Sequence, residues 1–393
     1  MKNIIVLRYG ELSLKGNNRK EFINCLVINI KAKLKSEKFS LKINKQEIMI
    51  YNIENQNVVI NEMKTLFGLS RILVFEQYET LEESIQKIEE IAAQVDKPTT
   101  FRVTVKRRNK RFPKTSQEMQ YEIASKLLVN DTKDNLKVSL SKYEKEFYLE
   151  IDHEHFRVLT TEYKGLGGLP TGSSGKAVAL ISGGIDSPVA IYEAMKRGLR
   201  VMALHFETPP YTSPQAFDKI EQLIKQLSVY DPKIKLYSYN FTQMQTFIHQ
   251  NIESNSDLMV VLRNFMFEIA GEFAEYKKCF TILTGENIGQ VASQTAENMR
   301  ASHSGTNKLI LQPLITYDKL DIIKKAEQIG TYPISNLPFE DFCTIFAPKS
   351  PTIRMDYAKM QAIKADLVEK LKQENISYLT KENITHIDWK KND

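Results

Sequence analysis

Short apolar runs and amphipathic stretches alternate along the chain, and their order changes twice. Over residues 1–78 the pattern predicts strands near Ile4–Tyr9, Leu41–Asn44, Ile48–Ile53 and Ile72–Tyr78, with helices near Arg19–Lys35 and Val58–Phe67. That order, strand-helix-strand-strand-helix-strand, is ferredoxin-like. Residues 79–165 predict a second small α/β domain. It begins with helix Leu81–Val95, strand Thr100–Lys106 and helix Ser116–Leu128. Strands near Val138–Leu140, Phe147–Ile151 and Arg157–Tyr163 complete it. Residues 166–176 fall in the glycine-rich run Gly165-Leu-Gly-Gly-Leu-Pro-Thr-Gly-Ser-Ser-Gly175, which reads as a flexible linker. From 177 to 393 strands near Ala177–Ile181, Arg200–Phe206, Lys235–Phe241 and Phe280–Leu283 alternate with helices such as Pro188–Arg197 and Pro214–Leu227. Such alternation predicts a doubly wound parallel sheet. The C-terminal stretch reads as a charged helix with a polar tail.

Composition narrows the setting. The chain has 393 residues, 42% of them hydrophobic, enough for several real cores. Its longest apolar stretch, Leu258 to Phe273, is broken by Arg263 and Glu268, so no membrane span is expected. No signal-peptide core precedes Arg8 and Glu11, and a cytoplasmic location is expected. Cys25, Cys279 and Cys343 form no CxxC pair, which argues against a zinc site or a disulfide framework. The net charge of +6 permits a polyanionic partner without requiring one.

The richest chemistry lies in Ala177-Val-Ala-Leu-Ile-Ser-Gly-Gly-Ile-Asp-Ser-Pro188. An apolar strand runs into Ser182-Gly183-Gly184, and Ser187-Pro188 opens a helix. Paired glycines let backbone N–H groups converge on an anion, and the helix N-terminus adds its own donors. The Ser182 and Ser187 hydroxyls can donate to phosphate oxygens. An acid opposes phosphate binding unless it holds a metal, so Asp186 is the candidate ligand for a Mg2+ ion that bridges phosphates. Upstream, Gly172-Ser-Ser-Gly-Lys176 imitates a Walker A loop. Pro170 stands where its first glycine belongs and Ala177 where Ser or Thr is required, so it is rejected.

The SGGIDS stretch resembles the pyrophosphatase loop of enzymes that adenylate a substrate with ATP. Several further segments narrow the resemblance. They are Arg8-Tyr-Gly-Glu-Leu-Ser-Leu-Lys-Gly16, Gly167-Gly-Leu-Pro170, the run Gly285 through Gln294-Thr295, Pro313-Leu-Ile-Thr-Tyr-Asp-Lys319 and Glu340-Asp-Phe-Cys343. In order, through nearly the whole chain, these resemble the tRNA 4-thiouridine synthetase (tRNA sulfurtransferase) family. The resemblance implies an ATP-dependent enzyme that adenylates a tRNA uridine, at position eight, and replaces its 4-oxygen with sulfur. It implies ATP contacts at Leu180, Ile181, Ser182, Gly183, Gly184, Asp186, Ser187, His205, Phe206, Arg263, Gly285 and Gln294. Phe206 would stack on adenine, Arg263 would neutralise phosphate, and Lys319 would offset charge at the reacting centre.

The N-terminal half would bind tRNA. Residues 101–114 hold Arg102, Lys106, Arg107, Arg108, Lys110, Arg111 and Lys114 with no acid among them, an electrostatic footprint for a phosphate backbone. The segment from Phe101 through Ile151 resembles the THUMP domain of tRNA-modifying enzymes. By the same resemblance Cys343 carries the transferred sulfur, and Lys349 nearby would favour its thiolate. The sequence ends about fifty residues after Cys343, which resembles the short form of the family without a rhodanese domain. Sulfur is then expected directly from a cysteine desulfurase or through another carrier, and a homodimer is compatible with the sequence. In the family, sulfur for the thiazole of thiamine is associated with the rhodanese form. The rival readings are another adenylating pyrophosphatase-loop enzyme acting on RNA, and a non-catalytic RNA-binding protein. The intact loop speaks against the second.

Overall fold

The computed structural model describes residues 2–153, 155–339, 348–379 and 381–389. The chain folds as two compact units, residues 1–19 with 30–167, and residues 20–29 with 168–393.

The first unit is built on one eight-stranded sheet. Its strands are β1 (Lys2–Tyr9), β2 (Ser40–Ile43), β3 (Glu47–Tyr51), β4 (Leu69–Tyr78), β5 (Thr99–Arg107), β6 (Leu136–Val138), β7 (Lys145–Ile151) and β8 (Phe156–Lys164). Their spatial order is β2-β3-β1-β4-β8-β7-β5-β6. Strands β4 and β8 pair antiparallel from Arg71 opposite Lys164 to Tyr78 opposite Phe156, so both predicted N-terminal segments share one sheet. Its helices are α2 (Gln56–Lys64), α3 (Leu81–Ala93) and α4 (Ser116–Val129), while α1 (Arg19–Lys33) is divided between the two units. Reciprocal Ser/Thr–Glu capping starts two of them: Thr80 with Glu83 for α3, and Thr115 with Glu118 for α4. Helix α4 packs against β5 and α3 against β8 and β4, over a shared core that includes the buried residues Phe101, Val103, Val105, Phe147 and Leu149.

The second unit has strands β9 (Lys176–Leu180), β10 (Arg200–Glu207), β11 (Lys235–Asn240), β12 (Thr281–Leu283), β13 (Leu309–Leu311) and β14 (Ile384–Ile387). They lie in the order β13-β12-β9-β10-β11-β14. Strands β9 to β13 are parallel to one another, and β9 and β10 are almost continuously buried, as strands covered on both faces must be. Strand β14 departs from the expected polar tail. It pairs antiparallel with β11, from Leu236 opposite Ile387 to Tyr239 opposite Ile384, and covers the edge of the sheet.

The helices of this unit are α5 (Asp186–Lys196), α6 (Pro214–Ser228), α7 (Thr242–Asn251), α8 (Leu258–Tyr276), α9 (Ala296–His303), α10 (Lys319–Gln328), α11 (Tyr332–Ser335) and α12 (Tyr357–Gln373). The long apolar stretch is α8, whose residues Leu262, Phe265, Ile269 and Phe273 fill the core. Among the described residues no helix is long and apolar enough to cross a membrane.

The glycine-rich segment is not a loose connector. The Leu169 N–H donates to Lys196 O at 2.9 Å, Gly172 N–H to Gly198 O at 2.7 Å and Ser174 N–H to Gly198 O at 2.9 Å. Leu169 and Thr171 are buried. Gly168 has φ +70°, and a Cβ there would lie 2.2 Å from Lys196 O. Its glycines provide left-handed backbone and close approach rather than slack.

Candidate active site

The loop after β9 closes on itself. Ser187 Oγ accepts from the Ser182 N–H at 3.0 Å and donates to Ser182 O at 3.1 Å. Ser182 Oγ lies 3.3 Å from Ser187 Oγ and accepts from the Gly184 N–H at 3.4 Å. The Ser187 hydroxyl therefore shapes the loop from within, instead of standing free for a phosphate. Helix α5 begins at Asp186, two residues before Pro188. Gly285 explains how tightly the neighbouring strand approaches. A Cβ there would lie 2.7 Å from Ser187 N and 2.8 Å from Asp186 C. The close approach at Gly285 is thus to the loop backbone itself.

Both Asp186 carboxylate oxygens are occupied. Lys319 Nζ donates to Oδ1 at 2.5 Å and Gln290 Nε2 to Oδ2 at 2.7 Å. Lys319 is the first residue of α10, where the Asp318 side chain caps the helix by accepting from the Leu320 N–H at 2.8 Å. Gln290 was missed in the sequence, although it lies within the quoted run from Gly285 to Thr295. Its Oε1 is buried and has no hydrogen-bond partner.

A cavity opens beside this loop. It is lined by Leu180, Ile181, Ser182, Asp186 and Ser187 from β9, the loop and α5, and by His205 and Phe206 from the end of β10. Arg263, Met266 and Phe267 of α8 form another wall, and Thr284, Gly285, Glu286 and Gln294 close it. Ten of the twelve nucleotide candidates thus meet in one place, while Gly183 and Gly184 belong to the adjoining loop. His205 is buried and joins β10 to the loop through Nδ1, 3.0 Å from Ile181 O. Phe206 is only 3% exposed and packs at 5.5 Å against both Tyr239 and Phe241, so it is a fixed wall more than an open stacking plane. Gln294 Oε1 accepts from the Asn287 N–H at 3.3 Å.

Met266, Phe267, Thr284 and Glu286 escaped the sequence reading. The first two follow Arg263 by three and four residues, the spacing that puts side chains on one helix face. Glu286, which follows Gly285, is 3% exposed. It accepts from Arg263, from Thr284 Oγ1 at 2.8 Å and from Gln312 Nε2 at 2.8 Å, and lies 2.9 Å from His303 Nε2. Burial pushes its pKa up, but Arg263 and the bonds from His303 and Thr284 outweigh burial and hold it at about 2.

The basic segment of the first unit is partly spent on local pairing. Arg102 bonds Glu146 at 2.6 Å and lies 4.2 Å from the Tyr143 ring. Lys106 lies 3.9 Å from Glu150, and Lys114 lies 2.5 Å from Glu122. Arg107 donates to Phe112 O at 3.1 Å and Lys114 O at 2.7 Å, bracing its own loop. Arg108 is bound to buried Glu47 and to Glu150, the latter at 2.8 Å, and Arg8 pairs with Glu47 at 2.5 Å. Lys110 and Arg111 are exposed.

Cys279 is buried, and its thiol donates to Lys176 O at 2.9 Å. Cys25 is half-buried, with its sulfur 3.3 Å from Thr171 O, and burial pushes its thiol pKa up. Cys343 lies outside the described residues. Among the described residues no group of three or more His, Cys, Asp or Glu could hold a metal ion.

Comparison with known proteins places this geometry. Residues 172–368 match the family described as Thiamine biosynthesis protein (ThiI), residues 4–72 the ThiI ferredoxin-like domain, and residues 78–160 the THUMP domain. A Halothermothrix orenii protein named "Probable tRNA sulfurtransferase" is 41% identical, covering 95% of each chain. A Bacillus pumilus protein of the same name is 40% identical over 91% of this chain and 89% of its own. A solved 4-thiouridine synthetase in complex with RNA and bound ATP superposes with a TM-score of 0.85 at 32% identity, covering 99% of this chain and 100% of that one.

Proposed function

The chain belongs to the ThiI family, whose relatives are named tRNA sulfurtransferases, and from that premise we propose how its residues divide the work. The reaction is ATP-dependent sulfur transfer to tRNA, giving 4-thiouridine. The finer reading is that ATP adenylates the 4-oxygen of the uridine at position eight, with release of pyrophosphate. A persulfide on Cys343, charged by a cysteine desulfurase, then attacks C4, and AMP leaves with the oxygen. A second thiol then attacks the Cys343 sulfur, breaking the S–S bond of the former persulfide, so that the thiolated base leaves and a disulfide remains at Cys343. Residues 1–78 and 79–165 hold the tRNA, residues 166–176 join them to the rest, and residues 177–393 carry out the chemistry. The proposal holds for a monomer or a homodimer.

The observation that carries this reading is a self-closed SGGIDS loop opening on a cavity lined by Asp186 and Arg263, with Lys319 bonded to Asp186. The α5 N-terminus binds the triphosphate, while the Ser182 and Gly184 N–H groups hold the loop in shape around it. Lys319, already beside Asp186, offsets negative charge that builds on the phosphate under attack. Asp186 and the orphaned carbonyl oxygen of Gln290 are hard oxygen ligands of the kind Mg2+ takes, and Asp186 would have to exchange its bonds to Lys319 and Gln290 for an ion whose other ligands are phosphates and water. Asp186 would hold it, and when bound it would supply charge neutralisation at the phosphates.

Incubation with tRNA, ATP, magnesium, cysteine and a desulfurase should yield 4-thiouridine on nucleoside analysis, with tRNA-dependent pyrophosphate release. Absence of both sinks the proposal; pyrophosphate release without thiolation favours a different adenylating enzyme.

For the tRNA-binding half, Lys110→Ala with Arg111→Ala is the clean test, because Arg108 is tied into buried ion pairs whose loss would damage the fold. The double variant should bind tRNA roughly 3–10-fold more weakly at low salt, with a salt slope shallower by up to about two. Its ATP affinity should match the parent. An unchanged tRNA affinity and slope would make these residues mere solvated surface.

A further inference from the structure

Glu286 presents a puzzle, since a carboxylate in a nucleotide cavity repels phosphate. Its surroundings resolve it. The side chain is almost fully buried, and donors come from four separate places: Arg263 on α8, His303 at the end of α9, Thr284 just after β12 and Gln312 just after β13. One oxygen is engaged by Arg263 and the other by the remaining three. Glu286 therefore has little capacity left to accept from a ligand. What it controls is Arg263, whose guanidinium lines the cavity. An arginine on a helix can sweep a wide volume, and each rotamer frozen by a strong ion pair need not be frozen again by the ligand.

We propose that Glu286 is the positioning residue that fixes the Arg263 guanidinium on the wall of the nucleotide cavity. It rests on the ATP-binding reading given above. The pair carries no net charge, so its gift to ATP binding is direction, not attraction. This sets two expectations of opposite sign. If the cavity charge alone mattered, Glu286→Gln would remove a negative group and tighten ATP binding. If Glu286 acts by aiming Arg263, the same substitution weakens it.

The test is a double-mutant cycle read as ATP affinity by calorimetry, with thermal unfolding and tRNA affinity measured alongside. Glu286→Gln should raise the Kd for ATP about tenfold, the size of a lost charge-assisted bond. In an Arg263→Ala background it should add little, because the residue it acts through is gone. tRNA affinity should stay at the parent value. If Glu286→Gln does not fold, Glu286→Asp takes its place in the same cycle. It keeps the charge but shortens the reach, and the same loss and the same non-additivity are expected. Tighter or unchanged ATP binding, or a loss that persists in full without Arg263, overturns the inference. So does a fall in melting temperature with the Kd for ATP unmoved, which marks a purely structural role. Failure of the unmodified protein to bind ATP overturns the functional reading and this inference with it, whereas ATP binding that both Glu286 variants leave intact overturns this inference alone.

Discussion

Cys343→Ser should release pyrophosphate from ATP in the presence of tRNA at close to the parent rate, and should make no detectable 4-thiouridine. Adenylation turns the uridine 4-oxygen into a leaving group, but only a sulfur nucleophile can complete the exchange, and serine cannot hold a persulfide. The loss in thiolation should be about a thousandfold or more. The other two cysteines are poor substitutes. Cys279 is buried with its thiol donating to the Lys176 carbonyl, and burial disfavours the thiolate of Cys25 despite the opposing pull of Arg200. Cys25→Ser and Cys279→Ser should therefore remain active. Mass spectrometry of the parent after incubation with cysteine and a desulfurase should find an adduct of about +32 Da, one sulfur, on Cys343. Normal thiolation by Cys343→Ser, with the adduct on Cys279, would assign the sulfur to the wrong residue.

Asp186→Ala should fail one step earlier. Pyrophosphate release should drop by about a thousandfold or more, while tRNA affinity stays within about twofold of the parent. The carboxylate sits at the start of α5, touching the cavity, and Lys319 and Gln290 each hold one of its oxygens. Removing it frees Lys319 and takes away the proposed metal ligand together. Asp186→Asn separates these effects from loss of shape, since the amide fills the same space without the charge. Undiminished pyrophosphate release by both variants refutes a role for Asp186 in adenylation, and a parallel fall in tRNA affinity points to general damage.

Much of the fold could be read from the chain because local signals and tertiary needs agree there. The continuous apolar runs of β9 and β10, the Thr-x-x-Glu starts of α3 and α4, and the serine and proline that open α6 each state their element locally. Strands β13 and β14 were illegible for the opposite reason. They are three and four residues long, and only pairing with β12 and β11 makes them strands. In the site, the SGGIDS loop is local and easily found. The Asp186–Lys319 pair spans 133 residues, and the family resemblance named both partners without indicating that they meet. Glu286 carries no local signature, because its partners Arg263, His303 and Gln312 are brought to it only by the fold. The seven basic residues of 101–114 read as free charge because Glu47 and Glu150, which absorb part of it, lie far away in sequence.

The pairing of β4 with β8 bears on how this N-terminal half can be dismantled. Two separately recognisable domain sequences meet near residue 78, which invites a cut there. Such a cut would not fall between modules. It would strip β4 of the partner on its side away from β1 and bare the facing edge of β8, each then presenting a row of unsatisfied N–H and C=O groups. An open edge of that length is a template for another chain. Either half alone would tend toward self-association, whereas the two expressed together keep both edges paired.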